Sequence, residues 1–308
     1  VDSLILSNRI KEKAKEIGFS LVGFCNTKPL EKEGNHLIKW LNRGYNAEMR
    51  WFERSIDKRI DPSLILPNAK SIIVLGLNYY NQINFTNQIN KGKISKYALG
   101  KDYHSVMKSK MKILINFLKE QNFFGNYLSY VDSGPLMEKA LAQKAGLGWI
   151  GKNTNLINRK IGSFFFIGCI ITDIELVYDE IYLNYCGTCN KCIEACPTKA
   201  LVEPYILDSN KCISYLTIEY RGEVLPQTLK GKFDNWVFGC DICQDVCPWN
   251  KNSKNTDVVE LYPMIDPYID LEKENKISEE QFSLKYSRTS IKRAKYKGFL
   301  RNINFLIN

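Results

Sequence analysis

Eight of the ten cysteines in this 308-residue chain fall between Cys186 and Cys247. The first run, CGTCNKCIEACP (Cys186–Pro197), reads C-x2-C-x2-C-x3-C-P. A second, CDICQDVCP (Cys240–Pro248), carries three more, and Cys212 lies between them. Thiolates with two residues between them are aimed by one tight turn at the same cubane iron-sulfur cluster, and the cysteine before proline is carried to the neighbouring cluster. That rule sorts the cysteines into two sets of four: Cys186, Cys189 and Cys192 with Cys247, and Cys196, Cys240 and Cys243 with Cys212. Two [4Fe-4S] clusters would then use every cysteine of the region. Paired CxxC turns also hold structural zinc; the repeated Cys-Pro ending weighs against that alternative. Cys25 in LVGFC and Cys169 in FIGCIIT have apolar, strand-like neighbours and read as buried thiols.

Paired clusters move single electrons, and a plain carrier would need no further domain. Here about 180 residues precede the clusters, and their periodicity is that of mixed helices and strands. SLILSNRIKEKAKEIG has helical spacing, ends at Gly18 and leads into the strand FSLVGFC. KSIIVLGLNYY reads as a buried strand, KDYHSVMKSKMKILINFLKEQ as an amphipathic helix, and NYLSYVD as a strand ending on Asp132. NQINFTNQINKGKIS is Asn-rich, without periodicity, and reads as a surface loop. The expected fold is α+β in three parts: a mixed α/β domain over 1–178, a ferredoxin-like two-cluster domain over 179–255, and a helical basic extension over 256–308.

AGLGWIGKN (Ala145–Asn153) contains G-x-G-x-x-G followed by lysine. A dinucleotide fingerprint needs a strand before its first glycine and a helix after its last. The order here is reversed: PLMEKALAQKA (Pro135–Ala145) reads as a helix with proline in its first turn and Gly146 as its cap, and strands follow. A phosphate-binding loop also fails, since it needs four residues between its glycines and Ser or Thr after the lysine. What remains is a Gly-rich loop whose backbone can approach a large flat ligand, with Trp149 as a packing face and Lys152, Asn153 and Thr154 as polar contacts.

The net charge is +10, which favours a polyanionic partner. KYSRTSIKRAKYKGFLR (Lys285–Arg301) has seven cations and no acid, and Tyr286, Tyr296 and Phe299 within it would offer stacking surfaces for bases; a solvated basic helix is the plainer reading. The longest apolar stretch, Ser163–Thr172, is too short to span a bilayer, and VDSLILSNRIKEK lacks the basic start and long apolar run of an export signal. The expectation is a cytoplasmic protein, without membrane contact, whose thiols stay reduced.

VDSGPLMEKALAQKAGLGWIGKN, the preceding YALGKDYH (Tyr97–His104), GSFFFIGCIITD and the eight-cysteine framework together resemble the epoxyqueuosine reductase family. The match runs from the N-terminal helix to SIKRAKYKGFLRN. The resemblance implies a monomeric cytoplasmic enzyme of queuosine biosynthesis that reduces the epoxide of epoxyqueuosine at the tRNA wobble position, using cobalamin and two [4Fe-4S] clusters fed by an unspecified electron donor. The flat ligand would be the corrinoid, held by the first domain. Asp132 matches the family's proton donor, and an epoxide oxygen needs such a donor as its bond to carbon opens. Arg59 and Tyr97 become cofactor contacts, with Ser214 and Asp241 facing the cofactor from the ferredoxin-like side. Cobalt without a protein histidine leaves His104 as pocket-lining at most; His36 reads as a surface helix residue. Arg221, Lys230, Lys292, Arg293, Lys295, Lys297 and Arg301 are the candidate tRNA contacts. Many relatives continue into a helical repeat domain, whereas this sequence stops at Asn308, so a smaller tRNA surface is expected. Two rivals stand beside this reading: a corrinoid iron-sulfur reductase of a small molecule, akin to reductive dehalogenases, and a non-enzymatic electron carrier.

Overall fold

The structure, a computed structural model, describes residues 3–86 and 88–307. Helix α1 (Ser3–Glu16) buries Leu6, Ile10 and Ala14 along one face. Gly18 ends it at φ +100, a backbone angle that favours glycine. After it come β1 (Leu21–Asn26), α2 (Glu31–Asn42), α3 (Ile56–Ile60), β2 (Ser71–Asn78), β3 (Lys91–Ile94), α4 (Tyr103–Glu120), β4 (Tyr127–Tyr130) and α5 (Glu138–Lys144). The hairpin β5 (Trp149–Ile150) and β6 (Leu156–Ile157) leads to β7 (Phe165–Thr172). Strands β1, β2, β7 and β4, in that order, form one antiparallel sheet. Successive side chains of a strand point to opposite faces: Ile73, Leu75 and Leu77 pack with α1 and α4, while Ile72 and Val74 pack with α5 and the thiols of Cys25 and Cys169. Both faces are covered, which is why β2 and β7 read as unbroken apolar runs.

The cysteines sit on short turns around α6 (Lys191–Glu194), α7 (Ile213–Ile218) and α8 (Ile242–Asp245), with the hairpin β8 (Leu201–Glu203) and β9 (Ile206–Leu207) between the first two. Strands β10 (Trp236–Phe238) and β11 (Tyr268–Asp270), then α9 (Leu271–Glu274), α10 (Glu279–Tyr286) and α11 (Lys295–Ile307), complete the chain. The fold is α+β: helices cover an antiparallel sheet, and a turn-rich cysteine region follows.

Three local expectations are corrected. The end of the Asn-rich stretch is no loop: it forms β3, the central strand of a second sheet, parallel to β10 and antiparallel to β11. Two lysines and a glycine hid it from hydrophobic patterning. Gly92 is required there, since a Cβ would lie 2.3 Å from Val237 Cγ2, and buried Lys93 is balanced by Asp234 at 2.9 Å. Ile94 and Leu99 thereby join Phe238, Ile269, Tyr286 and Phe299 in one core drawn from three distant parts of the chain. The second correction is that α5 starts at Glu138, leaving Pro135 in the turn before it. Third, Tyr286 and Phe299 are fully buried and offer no stacking surface, while half-buried Tyr296 packs on the same core and donates its hydroxyl to the Ile277 carbonyl. No helix among the described residues is long and apolar enough to cross a membrane.

Candidate active site between the sheet and the cysteine turns

A cleft of about 140 Å³, open to solvent, lies where the sheet meets the cysteine turns. Its walls are Phe165, Phe166 and Ile167 of β7, Tyr79, Tyr97, Tyr103 at the start of α4, Lys139 of α5, Asn155 and Leu156, Ser163, and Gln244 of α8. Asp102 caps α4 by accepting from the His104 N–H. That cap sets Tyr103 between two rings, Phe166 at 4.2 Å and His104 at 4.1 Å.

The Tyr103 hydroxyl donates to Asp132 Oδ2 at 2.8 Å. Asp132 sits in a turn two residues beyond the end of β4, at φ +52, a conformation that Asp tolerates better than most residues. Its backbone N–H donates to Glu138 Oε1 at 2.7 Å. Two carboxyls and a phenol therefore converge at the cleft mouth. Burial, reinforced by the charge of Asp132, pushes Glu138 up to about 8. Burial and the same charge raise the Tyr103 hydroxyl well above its ordinary value, so it stays a donor. Glu138, Tyr103, Asn155 and Gln244 were not singled out from sequence. Glu138 lies six residues after Asp132 in the same motif, but nothing in a one-dimensional reading pairs them.

Tyr97 lines the cleft; several other candidates do not. His104 is stacked on Tyr103 with Nδ1 at 2.8 Å from Asp102 Oδ1, so it orients the capped turn rather than the cleft. Arg59 is buried against the Phe52 ring and donates to the Trp51 carbonyl, while its Nε has no partner. Lys152 donates to Asn190 Oδ1, and Asn153 donates to the Cys243 carbonyl and accepts from the Asn155 N–H. Thr154 takes φ +64, and its carbonyl accepts from Lys139. Lys152 and Asn153 tie the loop to the cysteine turns, and Thr154 ties it to α5. Asp241 is fully engaged inside the protein, accepting from Ser95 Oγ and from the Lys96 N–H at 2.8 Å. The backbone N–H of half-buried Ser214 points at the Cys212 thiol.

The glycines of AGLGWIGKN serve the chain itself. Gly146, at φ +74, closes a Schellman-type cap in which the Leu147 N–H returns to the Ala142 carbonyl. A Cβ on Gly148 would lie 2.2 Å from the Ile157 carbonyl oxygen. The hairpin it permits splits neighbours to opposite sides: Leu156 faces the cleft, while Ile157 and Trp149 pack against Cys247. Trp149, expected as a ligand face, is fully buried and donates Nε1–H to Cys186 Sγ at 3.5 Å.

Packing of α6 against α8 gathers the thiols. Burial raises the Cys247 thiol, and Cys186, Cys192 and Cys189 raise it further. Around Cys243 the contributing thiols are Cys212, Cys196 and Cys192, and around Cys240 they are Cys243 and Cys212. Eight thiols in adjoining groups suit paired iron-sulfur clusters. So do the N–H groups aimed at sulfur: Trp149 at Cys186, Ala200 at Cys196 (3.3 Å) and Asn155 at Cys243 (3.9 Å). The cleft also suits a large flat ligand, given its aromatic walls; the partnerless Nε of buried Arg59 is not among the atoms that line it. The enclosed part of the cleft is below the usual range of about 300–1,000 Å³, so such a ligand would extend beyond it.

The basic stretch divides. Lys292, Lys295, Lys297 and Lys230 are exposed. Arg293 is paired with Glu219 through two hydrogen bonds of 2.9 and 3.0 Å, and Arg221 reaches the same carboxylate at 3.7 Å. Arg301 is turned inward and donates to the carbonyls of Leu216, Tyr220 and Gly222. It fastens α11 to α7; stranding those carbonyls would cost about 1–3 kcal/mol for each one left without a donor.

Two family profiles match the chain: "Epoxyqueuosine reductase QueG, DUF1730" over 59–133 and "4Fe-4S double cluster binding domain" over 185–250. An epoxyqueuosine reductase of Cellulophaga algicola is 46% identical over 305 residues, 97% of each chain. One from Cyclobacterium marinum is 45% identical over 97% of this chain and 96% of its own. Among solved structures, an epoxyqueuosine reductase with an epoxyqueuosine-modified tRNA-Tyr stem loop superposes with a TM-score of 0.92 at 33% identity, covering 98% of this chain and 81% of that one. A Bacillus subtilis epoxyqueuosine reductase, with its catalytic loop swung out of the active site, superposes at 0.90 with the same identity and coverage. A carboxyl pair at a cleft beside two cysteine sets, on a chain this close in sequence to such enzymes over its whole length, places it in the epoxyqueuosine reductase family.

Proposed function

We propose that this protein reduces the epoxide of epoxyqueuosine in the tRNA anticodon to give queuosine, with cobalamin at the cleft and two [4Fe-4S] clusters on the eight cysteines. Removing the oxygen as water takes two electrons and two protons. When bound, cobalamin supplies low-valent cobalt that breaks bonds to carbon, and the clusters supply electrons one at a time. Arg59, Tyr97 and the cleft rings would hold the corrinoid. Cys186, Cys189, Cys192 and Cys247 would hold one cluster, and Cys196, Cys212, Cys240 and Cys243 the other.

The observation that carries this reading is Asp132 at the cleft mouth, held between Tyr103 and Glu138. Asp132 delivers a proton to the epoxide oxygen, and Tyr103 fixes the orientation of its carboxyl. Glu138, protonated up to about pH 8, stands on the backbone of the same turn and replenishes the proton. A swinging catalytic loop in the Bacillus subtilis relative fits an Asp132 turn that moves to admit substrate. Lys230, Lys292, Lys295 and Lys297 meet the tRNA phosphates, so affinity falls steeply with salt. The enzyme works in the cytoplasm, where thiols stay reduced.

The test is nucleoside mass spectrometry on epoxyqueuosine-containing tRNA incubated anaerobically with cluster-loaded protein and a strong reductant. Queuosine should form only when cobalamin is added. Clusters and cobalamin in place with no conversion would mean the substrate is wrong.

A further inference from the structure

The cleft-side cysteines and the remote ones have different outer walls. Between Cys186 and the surface stands a group of rings. Trp149 donates to Cys186 Sγ, Trp249 packs on Trp149 at 5.2 Å, and Tyr185, 39% exposed, packs on both at 5.3 and 6.0 Å. Arg159 lies over the Tyr185 ring at 5.5 Å. Its turn, bridged between Asn158 and Gly162, is fastened to the segment after Cys247 by hydrogen bonds from Ser163 and Ser253. This brings exposed Arg159 and Lys160 beside exposed Lys251. None of the three takes part in an ion pair among the described residues. The chain running into Cys186 adds exposed Ile181 and Leu183.

We propose that this cation-rimmed aromatic face is the docking surface for the electron donor, an acidic single-electron carrier protein. The inference rests on the two-cluster reading above. Electron transfer weakens steeply with distance, so a donor must touch the protein over a cluster. The Cys243 set adjoins the cleft through Asn155, whereas Cys186 and Cys247 pack against Trp149 and Ile157 on the other side of the β5–β6 hairpin, where a docked donor leaves the tRNA mouth free. Unpaired cations around an apolar centre steer an acidic partner and are cheap to desolvate against it. Each encounter moves one electron: the reduced donor loses it and the oxidised cluster gains it. Two encounters supply the pair that, with two protons, takes the epoxide oxygen to water.

The experiment uses holoenzyme and flavodoxin hydroquinone as the probe, with cluster bleaching followed by anaerobic stopped flow. Combining Arg159→Glu, Lys160→Glu and Lys251→Glu should slow flavodoxin-driven bleaching by about tenfold or more at low salt, and the parent rate should fall as salt rises. Dithionite, which needs no docking, should bleach both proteins equally, and tRNA affinity should be unchanged. Equal flavodoxin rates would overturn the proposal. So would a loss of tRNA affinity at an unchanged flavodoxin rate, which would give the face to nucleic acid. Failure of dithionite to bleach the parent would sink the two-cluster reading itself, a separate result.

Discussion

The cysteines meet different neighbours on the two sides of the β5–β6 hairpin. Toward the cleft the neighbours of the cysteines are amides and titratable groups: Asn153 and Asn155 on Cys243, Gln244 beside it, then Lys139, Tyr103, Asp132 and Glu138. Toward the surface they are rings, Trp149, Trp249, Tyr182 and Tyr185, with one indole N–H reaching sulfur. Protons must move on the first side, and hydrogen-bonded groups allow that. Only electrons need cross the second, and a dry, rigid wall excludes water without hindering them. The division follows the reaction the chain is proposed to run.

The strongest test of this division removes one cysteine from each side. Cys243→Ala should lower iron from about eight to about four per chain and abolish turnover with any reductant. Cys247→Ala should lose the same iron yet keep some dithionite-driven turnover, because the cleft-side cluster remains directly reducible; equal losses would break the comparison. Next in size, Asp132→Asn should bind tRNA normally and lower single-turnover rates by about 10²–10⁴-fold. Near-normal turnover would take the proton step away from this turn.

Glu138 gives a smaller effect with a defined pH dependence. Its pKa is raised from 4.5 to about 8, so its proton is present below pH 8 and lost above it, and turnover should decline along that limb. The same shift contributes stability that is fully present below about pH 4.5 and lost as pH rises through about 8. Glu138→Gln should flatten both profiles and cost about tenfold in rate at neutral pH, less than loss of the direct donor. The smallest change is Trp149→Phe, which keeps the ring and deletes the N–H. Potentiometry with electron paramagnetic resonance should find the Cys186–Cys247 cluster harder to reduce and the other unmoved, since a hydrogen bond to sulfur favours the extra electron.

How far each feature was legible depends on its range. The eight cysteines carry their message in local spacing, and the apolar runs at Ser71–Asn78 and Phe165–Thr172 announced the central strands. Strand β3 was hidden because Lys91 and Lys93 are neutralised by Asp270 and Asp234, more than a hundred residues away. Arg301 looked like a phosphate contact for a similar reason, since the carbonyls it satisfies belong to residues 216–222. The glycines around Trp149 suggested a ligand, and their actual neighbours are Ile157 and Glu180 of the same chain.

The sequence by itself determined what the chain can hold and what it resembles, because thiol spacing and short motifs act over one or two turns of backbone. Tertiary structure decided which titratable groups meet and which residues surround the thiols. Asp132, Tyr103 and Glu138 meet only because β4, α4 and α5 converge on one edge of the sheet. A carboxyl's pKa and a cation's freedom depend on through-space neighbours, and those are supplied by packing.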